Sequence, residues 1–190
     1  MHSSSSFKTN WYLWLFLAAL TVVNILLLQQ NIQLRARIEK YNPQPLKIGE
    51  KVEAFSGKGL NGELIKINYS ESTKKRLFLY FTPSCKYCHQ QFPDWKELLT
   101  RTDTDKIEIF GLVGDKLSSE EIENYLRSFD CNSNSKTPLP VIFVPREMLE
   151  AYKLVSTPTT LLVSSEGDVE KVLVGKWNDK EKAVTFASLK

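Results

Sequence analysis

The most apolar stretch of the chain lies near its start, over residues 11–28, which contain no charged side chain. It opens with Trp11, Tyr12 and Trp14, aromatic residues of the kind that favour the interface between membrane and water. A helix of this length covers about 27 Å, close to the thickness of the hydrocarbon core of a bilayer. The pattern therefore predicts a transmembrane anchor over residues 11–28, preceded by a flexible tail over residues 1–10.

A buried core helix and a cleaved signal peptide are the alternatives for this stretch. The apolar part of a signal peptide is usually shorter, and the small residues Ala18 and Ala19 lie in the middle of the stretch rather than after it. An uncleaved single-pass anchor is therefore favoured. The polar residues that follow keep a helical composition until Pro43 and Pro45, so residues 29–46 are predicted to form a juxtamembrane helix and a linker.

Residues 47–190 alternate between short apolar segments and longer segments with helical periodicity. The predicted strands form a hairpin that turns at Asn61-Gly62, continue over residues 77–81, 106–113 and 140–144, and end with two strands within residues 157–175. The predicted helices cover residues 85–100, which include Pro93, residues 118–129, which open with a Ser118/Glu121 capping box, and residues 146–154 and 179–189. This alternation predicts an α/β domain with a mixed central sheet and helices on both faces.

Composition narrows the classes of function. The 25 basic and 22 acidic residues give a net charge of +3 and form no basic stripe, so nucleic acid is not expected as a partner. Three cysteines among 190 residues are too few for a disulfide-stabilised scaffold. The close pair Cys85 and Cys88 is therefore interpreted by its chemistry.

The segment Cys85-Lys86-Tyr87-Cys88-His89 fits two chemistries, because C-x-x-C is the spacing of a thiol-disulfide active site and C-x-x-C-H is the spacing of covalent haem attachment. For the first, Cys85 lies at a predicted helix start, where free N–H groups and the helix dipole favour the thiolate that attacks a disulfide. Cys88 follows one turn later and can close a disulfide after Cys85 has reacted with a substrate. Lys86 adds positive charge nearby.

The haem interpretation needs a second axial ligand besides His89, such as Met148 or His2. His2 precedes the anchor, and Met148 lies in a predicted helix, where a methionine more often fills the core. A zinc site would have to combine Cys131 with the C-x-x-C-H segment, whose adjacent second cysteine and histidine seldom bind one ion, so no metal site is predicted. Cys131 is then either an idle thiol or a second redox thiol.

Three segments and the order of the elements resemble the thioredoxin superfamily, and more closely its membrane-anchored extracytoplasmic branch, the TlpA/ResA-like thiol-disulfide oxidoreductases. The segments are KIGEKVEAF with the following Asn61-Gly62, YFTPSCKYCHQQFP, and STPTTLLVSSEGDVEKVLVG. The resemblance covers residues 48–190. It implies a thioredoxin-like fold in which residues 118–144 form an inserted helix and strand.

The resemblance also implies roles for individual residues. Cys85 and Cys88 would form the redox-active disulfide, with no further cofactor, and this intact pair disfavours a non-catalytic binding module of the same fold. Pro158 would be a cis-proline that faces the dithiol. Residues implied to bind substrate or shape the site are Lys86, Tyr87, Thr157 and Pro158.

Four positions depart from the pattern of the family. Ser84 stands where the family usually has a tryptophan before the first cysteine, and Tyr87 stands where its dipeptide commonly has a proline.

Of the other two, Gln91 stands where this branch commonly has a glutamate, and Leu79 stands where thioredoxin has a buried aspartate. Without these carboxylates, the Cys85 thiolate is free of like-charge repulsion and its pKa is expected to lie below that of a free thiol. Cys88 loses a nearby base, for which water or His89 would have to substitute.

The implied function is a membrane-tethered reductase for disulfides of exported proteins, of the cytochrome c maturation or metallocentre assembly type, with a disulfide oxidase or isomerase as the alternative. Its partners would be protein dithiols and disulfides and a membrane electron donor or acceptor. The implied location is a bacterial cytoplasmic membrane, with the catalytic domain on the extracytoplasmic, periplasmic side. The charges predict the opposite orientation, because Arg35, Arg37 and Lys40 follow the anchor whereas Lys8 precedes it.

Overall fold

The computed structural model describes residues 5–41, 44–70, 73–136 and 138–188. The chain divides into two compact units, Met1–Pro43 and Gln44–Lys190. The first contains one helix, α1, over Ser5–Tyr41. Between Trp11 and Ala36 its side chains are exposed, and this segment is long and apolar enough to cross a membrane.

The start of α1 differs from the sequence-based expectation. The helix begins at Ser5 rather than at Trp11, so the segment predicted as a flexible tail is helical from Ser5 onwards. Residues 5–10 contain no glycine or proline, so nothing in the backbone stops the helix of the apolar stretch from extending towards the N-terminus. His2 lies outside the described residues.

The second unit alternates strands and helices. Its described residues form seven strands and four helices. In chain order these are β1 (Phe55–Lys58), β2 (Leu64–Ile67), β3 (Lys75–Tyr80), α2 (Lys86–Arg101), β4 (Ile107–Gly114), α3 (Ser119–Arg127), β5 (Val141–Val144), α4 (Arg146–Ala151), β6 (Thr159–Val163), β7 (Val169–Val174) and α5 (Asp179–Ser188). The predicted order of strands and helices is therefore confirmed.

All seven strands belong to one mixed sheet, in the order β2-β1-β5-β4-β3-β6-β7. The central strands β3, β4 and β5 are parallel, and the strands on either side of them join in antiparallel pairs. Gly62 turns the β1–β2 hairpin with a φ of +80°, a conformation that costs little without a side chain. The sheet has the thioredoxin-like arrangement implied by the resemblance.

Both faces of the sheet are covered. Because successive side chains of a strand point to opposite faces, Leu77 and Leu79 of β3 belong to one core cluster and Phe78 belongs to the other. The first cluster includes Trp95 of α2 and Ile122 of α3, whereas the second contains residues of α4 and the segment after it. Helices α2 and α3 therefore share one face of the sheet.

Helix α3 and strand β5 form the insertion that the resemblance implies. The Ser118 hydroxyl caps α3 by accepting a hydrogen bond from the Glu121 N–H at 3.2 Å. The apolar side of this helix buries Ile122, Tyr125 and Leu126. It brings them into the same core cluster as the start of α2.

Candidate active site

Cys85 lies between the end of β3 and the start of α2. Its backbone N–H donates to the Thr82 carbonyl at 3.1 Å, which closes a tight turn after the strand. With φ −83° and ψ 111°, Cys85 is the N-cap of α2, and its sulfur accepts a hydrogen bond from the Cys88 N–H at 3.2 Å. The sulfur thus takes the place of the side-chain oxygen that usually caps a helix, and the unpaired N–H groups of the first turn favour a negative charge on it.

Cys88 lies one turn into the helix and has a different environment. It is fully buried among apolar side chains, whereas Cys85 is partly exposed. The two cysteines are not joined by a disulfide in this structure. Cys131 is buried in the same core cluster as Cys88. Of the pair, only Cys85 is therefore accessible to a protein substrate.

The segment before β6 completes the site. Strand β6 runs antiparallel to β3 and pairs Thr159 with Tyr80. Strand β6 therefore begins next to the C-terminal end of β3, from which the chain continues to Cys85. The Cys85 thiol donates a hydrogen bond to the Thr157 carbonyl at 3.4 Å. The Thr157–Pro158 peptide bond is cis, which confirms the prediction for Pro158.

The two thiols ionise differently. Burial opposes ionisation of Cys85, but interactions with Cys88, Thr157 and the backbone N–H groups of Cys88 and Tyr87 outweigh it and lower the pKa of Cys85. Burial raises the pKa of Cys88 to about 12, and its interaction with Cys85 adds to the rise. The direction predicted for Cys85 is confirmed. At neutral pH the accessible sulfur is the one that readily becomes a thiolate.

The remaining predicted residues of the motif are exposed around the dithiol. Lys86 and Tyr87 face solvent, and 61% of the Tyr87 side chain is exposed. His89 is also exposed, and its Nε2 atom lies 2.8 Å from the Pro83 carbonyl oxygen. The two residues that follow Cys85 in the sequence therefore present a basic and an aromatic side chain to solvent.

Gln91 is a fully buried polar residue of α2, three residues after Cys88. Its Oε1 atom accepts a hydrogen bond from the Trp177 backbone N–H at 2.7 Å. Among the described residues its Nε2 atom has no hydrogen-bond partner. Leu79 is fully buried in the same core cluster. Neither position supplies a negative charge.

The positions of the other candidate ligands do not support haem attachment or a metal site. Met148 belongs to the core cluster on the opposite face of the sheet from Cys88, so it cannot be the second axial ligand of a haem held by the motif. His2 is outside the described residues. Among the residues that the structure describes, no group of three or more His, Cys, Asp or Glu side chains could hold a metal ion.

Sequence reasoning missed two residues near the site. Tyr125 of α3 packs against His89 with ring centroids 4.9 Å apart, and Trp177 binds Gln91 through its backbone. Burial and the negative charges of the Cys88 and Cys85 thiolates raise the pKa of Tyr125 well above its ordinary value. The spacing of Tyr125 on α3 is that of any core residue, so the sequence carried no signal for its contact with His89.

The fold and the site together define a thioredoxin-like protein of the thiol-disulfide oxidoreductase class. The chain belongs to the AhpC/TSA family, whose family model matches residues 48–172.

Individual relatives agree with this assignment. Thiol-disulfide oxidoreductase ResA from Bacillus subtilis is 29% identical over 130 residues, which cover 67% of this chain and 67% of that protein. Sporulation thiol-disulfide oxidoreductase A from the same organism is 21% identical over 124 residues, 64% of this chain and 70% of that protein. The crystal structure of the pneumococcal exposed lipoprotein thioredoxin Etrx1 from Streptococcus pneumoniae matches with a TM-score of 0.55 at 22% identity, over 72% of this chain and 99% of that chain. The structural likeness shows the thioredoxin-like fold.

Proposed function

We propose that the protein is a membrane-tethered dithiol that reduces disulfides of exported proteins, with Cys85 as the attacking residue and Cys88 as the resolving residue. The observation that carries this proposal is the asymmetry of the pair. Cys85 is accessible, caps α2 and has a lowered pKa, whereas Cys88 is buried and has a pKa raised to about 12. An accessible thiolate beside a protected thiol is the arrangement needed for attack followed by intramolecular resolution.

The reaction has two exchange steps. The Cys85 thiolate attacks one sulfur of a substrate disulfide, the substrate S–S bond breaks, and the released substrate sulfur takes up a proton. Cys88 then loses its proton and attacks Cys85 Sγ, which forms the Cys85–Cys88 disulfide and releases the second substrate sulfur as a thiol. The substrate disulfide gains two electrons and the protein dithiol loses them, so a membrane electron donor would have to reduce the protein again.

The substrates are proposed from the resemblance to ResA-like proteins, and they belong to cytochrome c maturation or metallocentre assembly. A disulfide oxidase or isomerase is the second candidate, and a specific observation favours it. The lowered pKa of Cys85 and the uncharged Gln91 and Leu79 stabilise the reduced pair, which makes the couple more oxidising. The redox state of the pair in growing cells distinguishes them, since a reductase is held mainly as the dithiol and an oxidase mainly as the disulfide.

The proposed location is the extracytoplasmic side of a bacterial cytoplasmic membrane, with α1 as the anchor. Exchange of disulfides in exported proteins takes place in that compartment. The test is to treat intact cells, after mild reduction, with a thiol reagent that cannot cross the membrane. Labelling of Cys85 in intact cells supports the proposed orientation. Labelling only after lysis would contradict it and would favour the orientation predicted by the basic residues that follow the anchor.

Trapping tests the assignment of the two cysteines. Cys88→Ser should accumulate mixed disulfides between Cys85 and protein substrates, because the second step is blocked. Cys85→Ser is the matched control and should trap almost nothing, since Cys88 is buried and protonated. Trapping through Cys88 in the Cys85→Ser variant would reverse the assignment.

A further inference from the structure

The ring of His89 is held in place although the residue lies at the surface, in the first turn of α2. Its Nε2 atom lies 2.8 Å from the carbonyl oxygen of Pro83, which precedes the helix. Since a carbonyl oxygen only accepts hydrogen bonds, Nε2 carries a proton and is the donor. The ring also meets Tyr125 edge-on, with centroids 4.9 Å apart, and lies 5.8 Å from the ring of Phe129.

The Pro83 carbonyl belongs to the turn that leads from β3 to Cys85. In this turn the Cys85 N–H donates to the Thr82 carbonyl at 3.1 Å, and the His89 backbone N–H donates to the Cys85 carbonyl at 3.3 Å. Pro83 has no N–H group of its own with which to fasten the turn. The hydrogen bond from the His89 ring therefore joins the middle of the turn to the helix, across six residues of chain.

The position of the Cys85 sulfur depends on this turn. The sulfur accepts a hydrogen bond from the Cys88 N–H at 3.2 Å, and the thiol donates to the Thr157 carbonyl at 3.4 Å. A cysteine places its sulfur with a single torsion angle, which prefers staggered values. A displacement of the Cys85 backbone would therefore move the sulfur relative to both partners.

We propose that His89 is a positioning residue for the attacking thiol, because its ring N–H holds the Pro83 carbonyl and so keeps the turn that places Cys85 Sγ at the start of α2. This inference rests on the proposed exchange, in which Cys85 attacks. The unpaired N–H groups of the first helical turn stabilise a thiolate only while the sulfur lies against them. A looser turn should therefore make the Cys85 thiolate less stable.

Two other roles for His89 would give different results. In the first, the ring only packs against Tyr125 and Phe129. In the second, a protonated ring stabilises the Cys85 thiolate by its positive charge, and the hydrogen bond to Pro83 is incidental.

Two substitutions separate the three roles. His89→Phe keeps an aromatic ring for the contacts with Tyr125 and Phe129 and removes the donor. His89→Gln removes the ring and keeps an N–H donor at about the same distance from the backbone as Nε2, so it can still bind the Pro83 carbonyl. Neither variant carries a charge at position 89.

The test uses the full chain, purified in detergent and fully reduced. Iodoacetamide is added over a range of pH, and peptide mass spectrometry follows the modification of Cys85. His89→Phe should move the midpoint of this pH profile upwards, because the thiolate loses part of its stabilisation. Below both midpoints it should slow modification about three- to tenfold, the range expected for one lost hydrogen bond. Above both midpoints the two rates should converge, since Cys85 is then ionised in both proteins.

His89→Gln should stay within about twofold of wild type at every pH, because it restores the donor. Gln90→Phe is the matched control, since it places the same aromatic side chain at the next residue of α2, which is also exposed. It should leave the profile of Cys85 unchanged.

Three outcomes would overturn the inference. A His89→Phe profile that coincides with wild type would show that the hydrogen bond does not position Cys85. An equal upward shift in His89→Phe and His89→Gln would assign the effect to the charge of the ring. A shift in His89→Gln alone would assign it to the ring contacts.

The proposed exchange is tested separately, with an aromatic disulfide such as dithiodipyridine, whose released thiol absorbs light. The reduced wild-type protein should release this thiol by attack of Cys85. Failure to release it would overturn the proposed exchange, even where His89→Phe shifts the alkylation profile as expected. Release of the thiol together with an unshifted His89→Phe profile would overturn the role of His89 alone.

Discussion

The side chain of Gln91 accepts a hydrogen bond from the backbone N–H of Trp177 at 2.7 Å and ties the helix that carries the dithiol to the segment before α5. Gln91 follows Cys88 by three residues, so the two side chains lie on the same side of α2. The amide makes this link without bringing a charge to the dithiol. A glutamate could accept the same hydrogen bond, but it would add a buried negative charge beside the thiols.

Gln91→Glu should therefore raise the pKa of Cys85, because a neighbouring carboxylate disfavours the thiolate, and should make the couple more reducing. It should also cost about 1–3 kcal/mol of stability, the penalty of burying a polar group with incomplete pairing. Ultraviolet absorbance of the thiolate, followed during a pH titration, measures the first effect.

Gln90→Glu is the control for this change, since Gln90 adjoins Gln91 on the exposed side of the same helix. Solvent should screen its charge and leave the titration of Cys85 close to that of wild type. Equal titration curves for the wild type and the Gln91→Glu variant would show that position 91 does not tune the dithiol.

Selective alkylation follows from the opposite pKa shifts of the two cysteines. Iodoacetamide should modify Cys85 first at neutral pH, and its rate should fall only as the pH drops through the lowered pKa of Cys85, where the thiolate becomes protonated. Cys88 should resist modification until the pH approaches its own pKa of about 12, or until the protein unfolds. Peptide mass spectrometry of the reduced protein reads both sites. Faster modification of Cys88 than of Cys85 would contradict the assignment.

Gly57→Ala should destabilise the sheet. A methyl group on Gly57 of β1 would meet the side chain of Ile142 and the carbonyl oxygen of Phe143 on the neighbouring strand, neither of which can move freely. Overpacking of this kind costs about 1–3 kcal/mol. Gly114→Ala at the end of β4 is the control, because a methyl group there meets no atom within 4 Å. Denaturant unfolding should separate the two variants, and equal midpoints would contradict the packing described for β1.

Local patterns in the sequence were sufficient to predict most of the fold. The apolar run of β3, the Gly62 turn and the Ser118 cap each act within a few residues, so each is visible in the sequence. The helix start at Cys85 and the cis bond at Pro158 were also predictable, the first from helix chemistry and the second from resemblance to the family. The start of α1 at Ser5 was not predicted. Extension of an existing helix is cooperative and needs no local signal in the sequence.

The contacts made by the residues around the dithiol could not be predicted from the sequence. Gln91 and Trp177 are 86 residues apart, and no local pattern pairs a buried amide with a distant backbone N–H. Tyr125 shares its side of α3 with Ile122 and Leu126, so its spacing predicts burial without indicating which part of the core it faces. Contacts of this kind depend on how helices pack across the sheet.

The most direct test of the central claim is a redox titration of the full chain in glutathione buffers, followed by acid quenching, alkylation of free thiols and peptide mass spectrometry. Cys85 and Cys88 should lose their reactivity together, in one two-electron transition that corresponds to their shared disulfide. Cys131, which is fully buried, should not change its oxidation state in that transition. A disulfide that joins Cys131 to either residue, or a Cys85 that forms only a mixed disulfide with glutathione while Cys88 stays reduced, would contradict the account.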